Sequence, residues 1–209
     1  KPFLIFISVL FLQFPIFSTP ILLEPSSEKI SLYGHYEIFE DEGKNLDYEG
    51  ILRPEIQDQF QLVREENPNL GIKNSSFWIR FRVSNNAPQI HWVIHIPSTH
   101  IHSIELYRPS PSGVEVVKSG NRFPFSERIY KSTFFTFDLN SKKKEETYYL
   151  RVENTHDALF LPMFIESSRA LLEDLSNLKY FYGIYYGVMF AMFVYNLFVY
   201  VSVRDKTYL

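Results

Sequence analysis

An uncharged segment of the chain, residues 180–203, limits the architecture most. Its sequence, YFYGIYYGVMFAMFVYNLFVYVSV, contains no Asp, Glu, Lys or Arg, and Arg204, Asp205 and Lys206 follow it directly. A helix of roughly 24 residues at about 1.5 Å per residue reaches about 36 Å, which is enough to cross a hydrocarbon core about 30 Å thick. The buried helix of a soluble core rarely runs this far without a polar face. The segment therefore predicts a membrane-spanning helix.

A second, shorter apolar segment lies at the start of the sequence. About 15 mainly apolar residues follow Lys1, which is short for a membrane span but typical of the hydrophobic region of a secretory signal. Ser18 and Thr19 are small residues that suit a cleavage point. Residues 1–19 are thus predicted to be a signal peptide, with an uncleaved anchor as the alternative. Because no Met precedes Lys1, the chain is expected to be part of a longer protein.

The predicted signal and span together give a topology. Residues 20–179 are expected outside the cytoplasm, and residues 204–209 are expected to start a cytoplasmic loop whose Arg204 and Lys206 obey the positive-inside rule. The exported part contains no Cys, so it must fold on its hydrophobic core without disulfides. A net charge of −3 gives no basic surface, which argues against a nucleic-acid partner.

Most of the exported part shows apolar residues with period two in short runs, separated by turn-forming residues such as Asn85-Asn86-Ala87-Pro88. This pattern indicates β-strands and gives no helical periodicity. One or two further strands are expected within residues 35–63. Segment 40–74 alternates only weakly and is interpreted as one weak strand followed by irregular chain. The fold class is predicted to be all-β, a jelly-roll-like antiparallel β-sandwich over residues 20–166. The candidate strands are 77–84, 91–96, 101–108, 114–118, 133–139, 147–153 and 158–165.

The pattern changes to helical spacing after residue 165. Leu171, Leu172, Leu175 and Leu178 follow Ser167 and Ser168, which are candidate N-caps. A short amphipathic connector helix is predicted over residues 167–179, leading directly into the membrane span. A stiff connector of this kind suits a sensor better than a flexible anchor.

On the predicted strand 77–84 apolar side chains alternate with polar ones, and Trp78, Arg80 and Arg82 share the face expected to be exposed to solvent. An indole beside guanidinium groups suits a polar or anionic ligand, because the ring stacks and arginine donates forked hydrogen bonds. The same alternation places Arg151 and Tyr107 on the outward faces of their own strands, so that these strands and strand 77–84 could line one concave surface. In the alternative interpretation, Trp78 caps the core and the arginines pair with carboxylates such as Glu105 and Glu153.

The sequence offers little for catalysis or metal binding. It contains no nucleophile elbow, no H-E-x-x-H and no Gly-rich phosphate loop. Six histidines are scattered, and a third ligand beside His100 and His102 is not identifiable, so no metal and no cofactor are expected. A carboxylate pair for glycoside hydrolysis depends on spatial separation, so a membrane-anchored glycan hydrolase stays a third hypothesis.

The predicted membrane helix carries a stripe of small residues, Gly183, Gly187 and Ala191, which lets another helix approach closely. Asn196 is an amide within the span that needs a polar partner. Both features fit a helix packed against other transmembrane helices of the same receptor, and the stripe also suits a homodimer.

Several short motifs in this order resemble the bacterial seven-transmembrane receptors with diverse intracellular signalling modules, in the form with the type-2 extracellular domain. The resemblance covers residues 35–209. Its motifs are W-x-R-F at residues 78–81, Ile104-Glu105-Leu106-Tyr107, G-N-x-F-P at residues 120–124 with Arg128, Tyr149-Leu150-Arg151-Val152, Tyr195-Asn196 with Arg204-Asp205, and the final Tyr208-Leu209.

The resemblance implies a periplasmic jelly-roll-like domain that binds a carbohydrate or another small ligand, followed by membrane helices in the bacterial inner membrane and a cytoplasmic output module. It supplies no ligand-binding residues, so the candidate set rests on this chain alone. A domain that binds a partner protein or an envelope component is the alternative, and within these residues no enzyme is expected. The residues predicted to bind the ligand are Trp78, Arg80, Arg82, Tyr107, Arg128 and Arg151.

Overall fold

The computed structural model of the chain describes residues 18–155 and 157–203. The predicted cytoplasmic segment 204–209 and nearly all of the predicted signal peptide lie outside the described residues. Within them, two β-sheets pack face to face and a long helix follows the last strand.

The chain forms eleven described strands and three α-helices. The strands are β1 (Ile21–Leu23), β2 (Lys29–Ser31), β3 (Tyr36–Asp41), β4 (Gln61–Leu62), β5 (Ser76–Asn85), β6 (Trp92–Ile96), β7 (Ser103–Ser110), β8 (Gly113–Ser119), β9 (Phe135–Asp138), β10 (Glu145–Glu153) and β11 (Phe164–Ser167). The helices are α1 (Tyr48–Ile51), α2 (Pro54–Gln57) and α3 (Ser168–Val203), and a 3-10 turn covers Phe125–Glu127.

The larger sheet has seven strands in the order β4-β3-β5-β10-β7-β8, with β1 pairing beside β3 on the same edge of β5. The smaller sheet has the order β2-β11-β6-β9. Among the described pairs only β1 with β5 is parallel, and the others are antiparallel. The predicted all-β sandwich followed by a membrane-spanning helix is confirmed.

The core lies between the inner faces of the two sheets. Strand β5 contributes Phe77, Ile79, Phe81 and Val83, as its alternation predicted, and all four side chains are buried. Opposite them the smaller sheet contributes Ile94 and its neighbours on β6, β9 and β11. Burial of this apolar surface is the main force that holds the sheets together, since no disulfide is present.

Three parts of the prediction differ from the structure. Strands β1 and β2 were not predicted, because each has only three residues and pairs with a strand far along the chain. Segment 40–74 contains the two single-turn helices α1 and α2, which are too short to show a periodic pattern. Of the predicted strand 158–165 only the end, in β11, joins a sheet ladder; residues before it alternate because Leu159, Leu161 and Met163 are buried.

Helix α3 is continuous from the end of the sandwich through the predicted span, and it is long and apolar enough to cross a membrane. It starts directly after β11, where the Ser167 hydroxyl accepts a hydrogen bond from the amide of Ala170 at 3.1 Å. Leu171 is buried, whereas most of the described apolar side chains beyond Lys179 are exposed. The sandwich is therefore joined to the membrane helix without an intervening loop.

Gly120, in the predicted G-N-x-F-P turn, has a φ of +129°, and a Cβ there would lie 2.5 Å from the carbonyl oxygen of His102. Gly113 has a φ of +121° with open space around it. We expect Gly120→Ala to lower the free energy of unfolding more than Gly113→Ala, because the first change adds a backbone clash to the same strain. Urea unfolding of both variants in detergent micelles, followed by tryptophan fluorescence, measures the difference. Equal losses would contradict the close approach.

Candidate functional site

The predicted ligand face exists as the outer surface of the larger sheet. Strand register places Trp78 opposite Arg151, and Arg151 opposite Glu105 on the next strand. One step along, Arg80 lies opposite Tyr149, which lies opposite Tyr107. Five of the six predicted residues, all except Arg128, thus share one face across β5, β10 and β7, as the alternation indicated.

At Trp78 and Arg80 this face is not exposed to solvent, and the expectation of a wet surface was wrong there. Trp78 is 0% exposed and Arg80 is 6% exposed. Helices α1 and α2 cover the sheet here, and Ile51 packs against Trp78 and Tyr149 in a second, smaller core. The ring of Tyr48 stacks on that of Tyr107 with centroids 5.0 Å apart. Asp47 holds α1 in place by accepting a hydrogen bond from the amide of Gly50 at 2.7 Å.

Arg80 and Glu37 form a buried ion pair beneath α2. The Nε of Arg80 donates to Oε2 of Glu37 at 2.6 Å, and a second guanidinium nitrogen donates to the same oxygen. Gln57 on α2 accepts from Arg80 and, at 3.2 Å, from the hydroxyl of Tyr149. Glu37 is 2% exposed, so both charges depend on each other for compensation. The pair ties β3, β5 and α2 together.

Arg151 is engaged with carboxylates, as the alternative interpretation predicted. It lies 2.9 Å from Oε1 of Glu153 and 3.9 Å from Oε2 of Glu105, and its guanidinium carbon lies 5.8 Å from the centre of a Trp78 ring. Burial raises the pKa of Glu105, but hydrogen bonds from Lys118 and Tyr107 outweigh it and hold the pKa below its usual value. The indole Nε1 of Trp78 has no hydrogen-bond partner among the described residues.

Of the other two predicted residues, Arg82 follows Arg80 on the same face of β5 and Arg128 lies outside the strands. Arg82 donates to the carbonyl oxygen of Ser18 near the start of the described chain. Arg128 donates to the carbonyl oxygen of Ser132 at 3.0 Å and lies 4.6 Å from the ring centre of Phe135. The structure therefore brings Trp78, Arg80, Tyr107 and Arg151 together on one face, with Arg82 next to Arg80 on the same face of β5, and places only Arg128 apart from them. Ligand binding by these six residues stays a prediction.

A groove of about 710 Å³ opens beside the covered face, along β3 and the chain from α2 to β5. Its apolar lining includes the rings of Phe39 and Phe77. None of the six predicted residues lines it. The remaining lining residues are Ile38, Glu40, Asp58, Gln59, Gln61, Asn69, Leu70, Gly71 and Lys73.

The polar groups of the groove are a mixture of donors and acceptors. Lys73 donates to Oε2 of Glu40 at 2.5 Å, and Ser75 donates to Oε1 at 2.7 Å. Burial raises the pKa of Glu40, but these two hydrogen bonds outweigh it, so the pKa is held below its usual value and the carboxylate stays charged. Gln61 and Asn69 present exposed amides nearby. A concave site with aromatic rings and several amides and charges suits a small polar ligand.

Sequence reasoning missed this groove because its residues come from the segment interpreted as irregular chain. Asn69-Leu70-Gly71 pairs with distant backbone, since the amide of Leu70 donates to the carbonyl of Leu159 at 2.9 Å. That contact joins positions far apart in sequence, and no local pattern predicts it. The only available signal was the concentration of Gln, Asn and Asp between α2 and β5.

Comparison with known families gives two matches to the chain. A family model described as 7TMR-DISM extracellular 2 matches residues 33–167, which cover the sandwich from β3 to β11. A second, described as 7TM diverse intracellular signalling, matches residues 178–209, which include most of helix α3. A comparison with curated proteins gives no match.

Proposed function

Because the chain belongs to the family of seven-transmembrane receptors with diverse intracellular signalling modules, we propose that its sandwich senses a small polar ligand, in the first place a carbohydrate, and binds it in the groove lined by Phe39, Gln61 and Asn69. The sandwich is a periplasmic sensor domain of an inner-membrane receptor, and α3 is a membrane helix of that receptor. The groove is the observation that carries the ligand proposal.

The chemistry of the groove favours a neutral polyol. Its amides both donate and accept hydrogen bonds, as sugar hydroxyls do, while the partly exposed Phe39 supplies apolar ring surface. Glu40 and Lys73 already neutralise each other, so a ligand without net charge leaves this pair intact. A strongly charged ligand would have to break it.

The glycan hydrolase hypothesis needs two carboxylates across a groove, and Glu40 and Asp58 both line this one. A general acid requires a raised pKa, whereas the pKa of Glu40 is held below its usual value. Glu40 is thus suited to accept hydrogen bonds from a ligand and not to protonate a leaving group. Binding without hydrolysis is therefore the proposed activity.

A second candidate function, recognition of a partner protein or an envelope component, is supported by the arginines. Arg80 and Arg151 are both engaged with carboxylates, and Arg82 and Arg128 donate to backbone carbonyls. These side chains would bind a small ligand only after giving up those contacts. A partner that binds the outer surface requires no such change.

We expect a neutral monosaccharide or disaccharide to raise the thermal stability of the sandwich in detergent micelles. Ligand at about 100 times its Kd should add about 2.7 kcal/mol, read from the fluorescence of Trp78 and Trp92 during heating. Gln61→Ala should abolish this gain because it removes an exposed amide of the groove, and Gln89→Ala, an exposed amide outside it, should retain the gain.

Arg151→Ala distinguishes the groove from the residues predicted by the sequence. A gain that is lost in Arg151→Ala and kept in Gln61→Ala would place the ligand on the covered face and contradict the groove. If neither sugars nor small carboxylic acids stabilise the protein, the small-ligand proposal is wrong and the partner-binding candidate takes its place.

A further inference from the structure

A buried carboxylate lies at the point where the sandwich meets the membrane helix. Glu166, on β11, is 0% exposed, and neither of its oxygens has a hydrogen-bond partner among the described residues. Its Oε2 lies 3.6 Å from Nζ of Lys29 on β2, and its Oε1 lies 3.9 Å from Nδ1 of His95 on β6. An isolated buried charge is costly, so the ionisation of Glu166 depends strongly on Lys29.

Lys29 is shared with the membrane helix. Its Nζ lies 3.0 Å from Oδ2 of Asp174, in the second turn of α3. Since α3 starts directly after β11, this ion pair and the buried Leu171 are contacts of the helix with the sandwich near the membrane. One ammonium group thus balances two carboxylates, one inside the sandwich and one on the helix.

Burial is the main cause that favours the neutral form of Glu166. Burial raises its pKa, Lys29 lowers it, and the like charge of Asp174 raises it, so that the pKa stays above its usual value. His95 does not supply a positive charge, because burial and the neighbouring Lys29 lower its pKa to about 4. His95 is instead within hydrogen-bond distance of the hydroxyl of Thr136, at 3.1 Å. Lys29 is therefore the cation that faces Glu166 near neutral pH.

We propose that Glu166, Lys29 and Asp174 form an acid-sensitive contact between the sandwich and the membrane helix, in which protonation of Glu166 strengthens the pairing of Lys29 with Asp174. A neutral Glu166 no longer attracts Lys29 and no longer repels Asp174, so both changes hold the helix against the sandwich. By linkage, movement of the helix away from Lys29 makes Glu166 easier to ionise. The contact needs no ligand and is independent of the groove.

The test measures the distance between sandwich and helix in the whole chain, in lipid nanodiscs without added sugar. The chain has no Cys, so Gln89→Cys and Ser176→Cys accept two spin labels at exposed positions. Pulsed electron paramagnetic resonance at about pH 5 and about pH 8 should show a narrow docked distance in acid and a broader distribution in base. We expect the ratio of docked to undocked molecules to change about fivefold or more.

Variants assign this response to the three residues. Glu166→Gln carries no charge and should give the narrow distribution at both pH values, and Asp174→Asn, on the exposed side of the helix, should give the broad one at both. Glu173→Gln is the matched control, because Glu173 pairs with Arg169 on the exposed helix surface and should respond as the unmodified chain does.

Two results would overturn the proposal. An unchanged distance distribution between the two pH values means that the contact is not acid-sensitive. A pH response that persists in Glu166→Gln means that another group titrates. Because Asp174 lies on the helix surface, its variant reports on the contact even if a change at the buried Glu166 weakens folding.

Discussion

Arg80→Met is expected to lower the free energy of unfolding by about 3 to 5 kcal/mol. The change removes the cation that compensates Glu37, whose carboxylate is 2% exposed and accepts two hydrogen bonds from Arg80. Leaving that carboxylate buried without its partner costs far more than the ion pair gains. Urea unfolding of the chain in detergent micelles measures the loss, since the only two tryptophans, Trp78 and Trp92, both lie in the sandwich.

The double variant Arg80→Met with Glu37→Leu should recover at least half of the lost stability, because two apolar side chains replace two charges in a buried place. Arg169→Met is the matched control: its guanidinium also pairs with a carboxylate but is exposed, and its loss should leave the urea midpoint unchanged. A loss below about 1 kcal/mol in Arg80→Met, as expected for exposed pairs, would contradict the buried pair described above.

Acidification from pH 7.5 to pH 4.5 is expected to remove most of about 3 kcal/mol of stability through His95 alone. Burial lowers the pKa of His95 from 6.5 to about 4, and one pKa unit corresponds to about 1.4 kcal/mol. Between pH 6.5 and about pH 4 the unfolded chain binds a proton at His95 and the folded chain does not. The stability is therefore fully present above pH 6.5 and is lost as the pH falls towards 4.

Glu166 contributes with the opposite sign, because its pKa is raised in the folded state. Its contribution is present in acid and is lost as the pH rises. His95→Gln should therefore flatten or reverse the acid slope of stability against pH, and His91→Gln, a change at a half-exposed histidine beside Asp138, should keep it. Urea midpoints across this pH range give both slopes. An unchanged slope in His95→Gln would show that other groups cause the acid sensitivity.

The acid response of the sandwich as a whole and that of its contact with the helix are separable. His95 affects global stability because its protonation favours the unfolded chain, whereas Glu166 and Lys29 also affect where the helix lies. Asp174→Asn should alter the distance distribution but keep the loss of stability in acid that His95 causes, since the charge of Asp174 only raises the pKa of His95 against the larger effect of burial. This separation allows each titrating group to be tested by its own measurement.

The sequence by itself determined most of the longer strands and the membrane helix. Alternation along β5 is a local property, since successive side chains of a strand point to opposite faces, and it correctly predicted which four side chains enter the core. The length of the uncharged run likewise predicts a span from composition alone. However, an alternating sequence indicates which side chains are buried more directly than it indicates which strands pair in a sheet. Leu159 and Leu161 are buried in an alternating pattern, although their segment joins no sheet ladder before β11.

Only the tertiary structure decided which surface is available to a ligand. Alternation predicted that Trp78 and Arg80 share one outward face. It did not predict that α1 and α2 cover this face, because that depends on a few capping and packing contacts of single-turn helices. The pairing of Arg80 with Glu37 joins residues 43 positions apart and follows from the register of β3 against β5. The groove and the Lys29 contact with Asp174 likewise join distant parts of the chain, so the long-range packing that creates them leaves no local pattern in the sequence.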